Sequence, residues 1–211
     1  MHSAHASGSL HPLMGEWRVA DSGRDEAEAF IARWQGVAAS ELSTSQSFLI
    51  GLCELLRVEV PHATPAQDYM FERPIKFAHG DGSTSDGRID LYRRGAFVLE
   101  SKKLKAGNHT RGFDDALLRA RSQAENYARA PPASEGRPPF VVVVDVGNRI
   151  ELYSEFSRSG ATYTPFPGPR SHRIGLADPK SAEVRDRLRR SWIAISRSNL
   201  SATSGSENIS V

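Results

Sequence analysis

Apolar positions along this chain follow a helical period at first, then a strand period, and then the two in alternation. Phe30, Ile31 and Trp34 recur at helical spacing within Asp25 to Gln35. Phe48, Leu49, Leu52, Leu55 and Leu56 form a second helical stripe, which ends at Val58 to Pro61. Ser40 suits the N-cap of that helix and Ser43 is an alternative start, because a side-chain oxygen there accepts an N–H that the first turn leaves unpaired. From Tyr69 to Ala78 the pattern is that of a strand, and Pro74, which cannot donate to a ladder, assigns it to an edge. His79 to Asp86 is a turn cluster of Gly, Ser and Asp. Arg88–Tyr92 and Ala96–Lys102 then read as a hairpin around Arg93-Arg94-Gly95.

After a polar loop, Lys105 to Arg111, a helix is expected from Asp114 or Asp115 to Arg129. Its inward side carries Ala116, Leu117, Ala120, Ala124 and Tyr127. Pro131 to Pro139 is a proline-rich connector. Phe140 to Val146 is apolar but for Asp145, the pattern of a strand buried on both faces in the middle of a mixed sheet. A further strand, Arg149 to Phe156, follows the turn pair Gly147-Asn148. Ser159 to Asp178 has no regular period, and Ala182 to Ile195 is an arginine-rich last helix. The expected order is two helices, three strands, a helix, two strands and a helix, an α/β sandwich around a mixed sheet. Residues 1–23 and 198–211 are polar without a period and are expected to be disordered tails. Residues 24–180 form the expected domain, and 181–197 the start of a helical connector.

Composition narrows the class. The 211 residues suit one domain, and 39% apolar with 25% charged residues is ordinary for a globular chain. No apolar run approaches the ~20 residues of a membrane span, and the first twenty residues have no signal-peptide plan, so a cytoplasmic location and no membrane partner are expected. The single cysteine, Cys53, excludes a disulfide framework and a cysteine-based zinc site and reads as a small buried hydrophobe. The net charge of +2 is unremarkable, but Arg88 to Arg129 holds ten Lys/Arg against five acids. Such a segment attracts phosphate backbones, although basic runs also occur as plain solvated surface.

Chemistry concentrates in the hairpin. Val98, Glu100 and Lys102 alternate on one strand and so share a face, where an acid and a lysine are costly to bury unless they pair or bind an ion. If the turn centres on Gly95, Asp90 lies opposite Glu100. Two opposed carboxylates repel, and a divalent cation between them removes the penalty. Hard oxygen ligands point to Mg²⁺, with the Ser101 backbone carbonyl as a third protein oxygen. Lys102 would orient or help to deprotonate an attacking water at a phosphodiester. The plain alternative is a salt-bridged hairpin. The helix that follows adds Gln123 and Tyr127, four apart on one side.

At these residues the chain resembles the PD-(D/E)XK nuclease superfamily, and more closely the amino-terminal nuclease domain of MmeI-like restriction enzymes. The matching stretches are Glu41 to Leu49, Tyr69-Met-Phe-Glu72, Arg88 to Tyr92, Phe97 to Lys102, Gln123 to Tyr127, Val144 to Asn148 and Ile150 to Tyr153, within residues 26 to 195. The resemblance implies a restriction-endonuclease-like α/β sandwich with a central mixed sheet. It implies that Asp90 and Glu100 bind Mg²⁺, with Mn²⁺ as a substitute, and that Lys102 is catalytic. Gln123 and Tyr127 become active-site or DNA-positioning residues. Glu41 becomes a candidate further metal ligand, against the alternative of an ordinary acid at a helix start. Lys103, Lys105 and Arg119 are candidate DNA contacts. The implied partners are double-stranded DNA, a second copy for double-strand cleavage and a separate methyltransferase and recognition subunit, in restriction–modification or phage defence. Ser101-Lys102-Lys103 departs from the Ala-Lys-Gln usual in the family. Arg137-Pro-Pro-Phe140 is no methyltransferase motif, because arginine cannot accept hydrogen bonds from an adenine amino group. A non-catalytic DNA-binding or accessory module is the competing expectation.

Overall fold

Two apolar sets on opposite faces of one sheet account for the architecture. A computed structural model of the chain describes residues 14–37, 41–62, 68–78, 80–102 and 111–193. In chain order the elements are α1 (Met14–Trp34), α2 (Glu41–Leu56), β1 (Tyr69–Ala78), β2 (Thr84–Arg93), β3 (Phe97–Lys102), α3 (Arg111–Arg129), β4 (Phe140–Asp145), β5 (Arg149–Ser154), β6 (Thr164–Pro165), β7 (Arg173–Gly175) and α4 (Ala182–Trp192). The seven-stranded sheet runs β1-β2-β3-β4-β5-β6, with β7 also on β5. Among the described strands only β3 and β4 pair in parallel. That parallel pair needs a crossover, and α3 supplies it.

On one face, α3 lays Leu117, Ala120, Ala124 and Ala128 over Val98, Val141 and Val143. Alanines at this spacing bring the helix close to the strands. The other face carries Phe97, Leu99, Val142 and Val144, covered by Phe30 and Trp34 of α1, Leu52 and Leu56 of α2, and Leu188 and Trp192 of α4. The fold is therefore the expected α/β sandwich with a mixed sheet. Pro74 lies in the edge strand β1, as its missing N–H requires.

Several boundaries differ from the sequence expectation. The first helix begins at Met14, so residues 14–23 are helical where a tail was expected. No proline stands between Pro12 and Pro61 to stop it. Residues 1–13 and 198–211, Ser40, Lys103 and Lys105 lie outside the described residues. The expected connector from residue 181 is instead part of the core, because Trp192 of α4 packs 4.7 Å from Phe97 and donates its indole N–H to Tyr69 Oη at 2.9 Å. β2 starts at Thr84 because Ser85 and Asp86 pair with Phe77 and Lys76, which draws polar turn residues into a two-stranded ribbon. β6 and β7 interrupt the segment read as irregular, and at two and three residues they are too short to show a period. Among the described residues no helix is long and apolar enough to cross a membrane.

Candidate active site

The site forms where the central hairpin stops pairing. β2 and β3 are joined by Arg93↔Phe97, Tyr92↔Val98 and Leu91↔Leu99, the register of a turn centred near Gly95, which takes φ 71°. The next pair in that register is Asp90 with Glu100, and there the ladder ends. Asp90 Oδ2 instead accepts the Ser101 N–H at 2.7 Å and the Ser101 hydroxyl at 2.8 Å. A side-chain carboxylate thus satisfies a backbone donor of β3 that β2 no longer reaches.

The other edge of β2 is irregular at the same level. Phe71↔Leu91 and Arg73↔Ile89 bracket Glu72, which stands across from Asp90 and adopts φ 53°. A non-glycine residue in this region costs about 1–3 kcal/mol and persists only when its surroundings enforce it. The hairpin turns over at this point. Phe71 and Leu91 pack toward α1, α2 and α4, whereas Ile75 and Ile89 pack toward α3.

Glu100 follows Val98 on the α3 face and is 1% exposed. Its Oε1 accepts from Lys102 Nζ at 2.6 Å, while its Oε2 is buried with no hydrogen-bond partner among the described residues. Burial pushes its carboxyl up to about 7, the negative charges of Asp90 and Glu72 add to the rise, and Lys102 only partly offsets it. Burial also pulls the Lys102 ammonium down, but Glu100, Asp90 and Tyr127 together hold it above the ordinary lysine value. Burial and Asp90 raise the Glu72 carboxyl as well, against an ion pair with Arg88 at 3.7 Å.

α3 brings the remaining candidates alongside. Gln123 Nε2 donates to Tyr127 Oη at 3.0 Å, and Tyr127 is near enough to Lys102 to act on its charge. The Tyr127 ring stacks on Phe77 with centroids 5.7 Å apart. Arg119, one turn before Gln123, is exposed. Asp90, Glu100, Ser101 and Lys102 are therefore gathered at one point, with Gln123 and Tyr127 beside them. Glu41 begins α2, but its side chain, like Lys103 and Lys105, falls outside the described residues.

Among the described residues no group of three or more His, Cys, Asp or Glu is placed to hold a metal ion. The protein donors that fit a cation here are two carboxylates and a peptide oxygen. An unpartnered carboxylate oxygen on a buried acid is what such an ion would satisfy, and hard oxygen donors suit Mg²⁺. Glu72 is the acid that sequence reasoning missed. It belongs to a matching stretch, but its place opposite Asp90 depends on the length of the β1–β2 turn, which no spacing rule fixes.

The sequence model of one family, described as MmeI, N-terminal domain, matches residues 25–201. No curated protein and no solved structure matches the chain. The match covers α1 from Asp25 onward, the whole sheet, α3 and α4. The chain belongs to the family of the MmeI N-terminal domain, and with it to the setting of restriction–modification enzymes.

Proposed function

We propose that this domain is a metal-dependent DNA endonuclease of the PD-(D/E)XK type. The observation that carries the reading is the buried Oε2 of Glu100, which has no hydrogen-bond partner among the described residues although Asp90 lies beside it. A buried carboxylate oxygen without a partner is expensive, and structures keep one where an ion or substrate completes it. Asp90, Glu100 and the Ser101 carbonyl would hold Mg²⁺ or Mn²⁺, and Glu41 remains a further candidate ligand. When bound, the cation supplies Lewis-acid polarisation of the phosphoryl group and lowers the pKa of a bound water.

The protein's own residues do the rest. Lys102 stays charged and is partly exposed, so its ammonium orients the attacking water and offsets phosphate charge. Asp90 is fixed by two hydrogen bonds from Ser101, so its second oxygen needs little reorganisation. Gln123 and Tyr127, bonded to one another, present a polar edge that positions the strand. Lys103, Lys105 and Arg119 would contact phosphates of double-stranded DNA. A second copy would cut the other strand, and a methyltransferase and recognition subunit would select the site.

Nicking of supercoiled plasmid tests the reading. Cleavage is expected with Mg²⁺ or Mn²⁺ and not with chelator, and Lys102→Ala is expected to abolish it. Cleavage that persists in Lys102→Ala, or none with either ion, overturns it. A second reading, a non-catalytic DNA-binding module, draws on the lack of a three-side-chain ligand cluster among the described residues. It is met if the chain binds DNA without cutting.

A further inference from the structure

Beside the Asp90–Glu100 centre, between the β1–β2 ribbon and α3, lies an open groove of about 830 Å³. Its walls include Lys76 and Phe77 from β1, and Gln123, Asn126, Tyr127 and Arg129 from α3. Neither Asp90 nor Glu100 lines it, but Gln123 and Tyr127 belong to both places. Phe77 and Tyr127 form one aromatic wall, their ring planes 20° apart. Gly87 makes that wall possible, since a Cβ there would stand 2.7 Å from Phe77 Cε2 and 3.2 Å from Tyr127 Cε1.

The polar lining is set out for recognition as well. Gln123 uses its NH2 on Tyr127 Oη, and Asn126 Oδ1 accepts from Arg129 at 3.4 Å. A carbonyl on Gln123 and an NH2 on Asn126 remain for a ligand, an acceptor and a donor one turn apart. Arg129 is pinned by the Gly160 and Ala161 carbonyls and pairs with Glu125 at 3.3 Å, which fixes the place of its guanidinium, while Lys76 is exposed and, among the described residues, meets Asp86 in a surface contact at 3.6 Å. Aromatic faces, amides that can meet a base edge and flanking cations are the chemistry of single-strand binding. A duplex offers side chains its base edges but not its base faces, which are free only once a base has left the stack.

We propose that this groove takes one unpaired nucleotide of a DNA strand next to the phosphodiester at Asp90 and Glu100, with its base on the Phe77–Tyr127 wall. The proposal rests on the nuclease reading for the identity of the strand, but its test is a binding measurement. Fluorescence anisotropy of the full chain without divalent ions would compare a labelled single-stranded oligonucleotide, the matching blunt duplex and a competing deoxynucleoside monophosphate. The wild type is expected to prefer the single strand, and Phe77→Ala to weaken that binding about tenfold, the scale of one lost base stack. Phe77→Tyr is expected to restore it. Asn126→Ala, at an exposed helix position, gives a second reading if Phe77→Ala does not fold. Equal binding of strand and duplex, a free nucleotide competing as well as the strand, or unchanged binding in both alanine variants overturns the proposal. Plasmid cleavage that survives such a result leaves the nuclease standing. Variant-sensitive strand binding with no cleavage would keep the groove and remove the nuclease.

Discussion

Glu100 and Glu151 flank Val143 on the same face of the sheet, one strand to either side, and each is 1% exposed. They differ in what meets them. Glu151 Oε2 accepts from Tyr153 Oη at 2.7 Å, and Arg173 Nε lies 2.9 Å from Oε1 as an ion pair without hydrogen-bond alignment. Arg121 lies over the Tyr153 ring at 4.2 Å and adds a second cation to that cluster. Among the described residues Glu100 has a single lysine on one oxygen, no hydrogen-bond partner on the other, and two further acids close enough to raise its carboxyl. A buried acid that the fold completes is structural. One that the fold leaves incomplete marks a place where something else must arrive.

The sharpest way to break this contrast is to neutralise each acid in turn. Glu100→Gln and Lys102→Ala are each expected to lower plasmid cleavage by about 10³-fold or more, the scale of losing an electrostatic or acid–base group. Glu151→Gln should keep cleavage close to wild type. Equal losses at Glu100 and Glu151 would remove the distinction.

The next effect is on stability and depends on pH. Glu100 titrates near 7 when folded, against an ordinary glutamate value of 4.5. The folded state therefore holds a proton that the unfolded state has released. Its contribution to stability is fully present below about pH 4.5 and is lost as pH rises through about 7. The difference is on the order of 3 kcal/mol across that window. Metal-free protein should thus melt higher at pH 6 than at pH 8. Hydrogen bonding from Arg73 holds the Glu135 carboxyl low, so that group is already ionised over this interval. Glu100→Gln, or saturating Mg²⁺, should flatten the slope, and a slope that survives Glu100→Gln assigns it to another group.

How much of this was legible beforehand follows from what each feature depends on. The register of Asp90 and Glu100 needed only a two-strand turn around Gly95 and alternation along β3. The edge position of β1 needed only Pro74. The face of Glu151 and its partner Arg173 were hidden, because β7 has three residues and reaches β5 from far along the chain. Glu72 was hidden because its left-handed backbone breaks the alternation that sequence reading relies on. The Phe77–Tyr127 wall joins a strand to a helix across Gly87, which in the sequence stands only as the residue before Arg88.

Two smaller effects are expected at Glu151 and Arg119. Glu151→Gln should lower the melting temperature by about 2–6 °C, the cost of weakening a buried hydrogen-bonded acid in a domain of this size. Calorimetry would measure it, and a rise instead would mean that the Arg173 contact does not offset the burial of Glu151. Arg119→Ala, one exposed cation near the site, should weaken duplex binding only about two- to fivefold, as loss of a single phosphate contact does, with a shallower salt dependence. Unchanged affinity and salt slope would take Arg119 off the DNA path.

If Glu100 is left open for a cation, titration with Mn²⁺, followed by the electron paramagnetic resonance signal of the free ion, will show it. Wild type and Glu151→Gln should both deplete the free-ion signal, and Glu100→Gln should not. Depletion that is the same in Glu100→Gln, or absent in the wild type, would mean that Glu100 holds no cation.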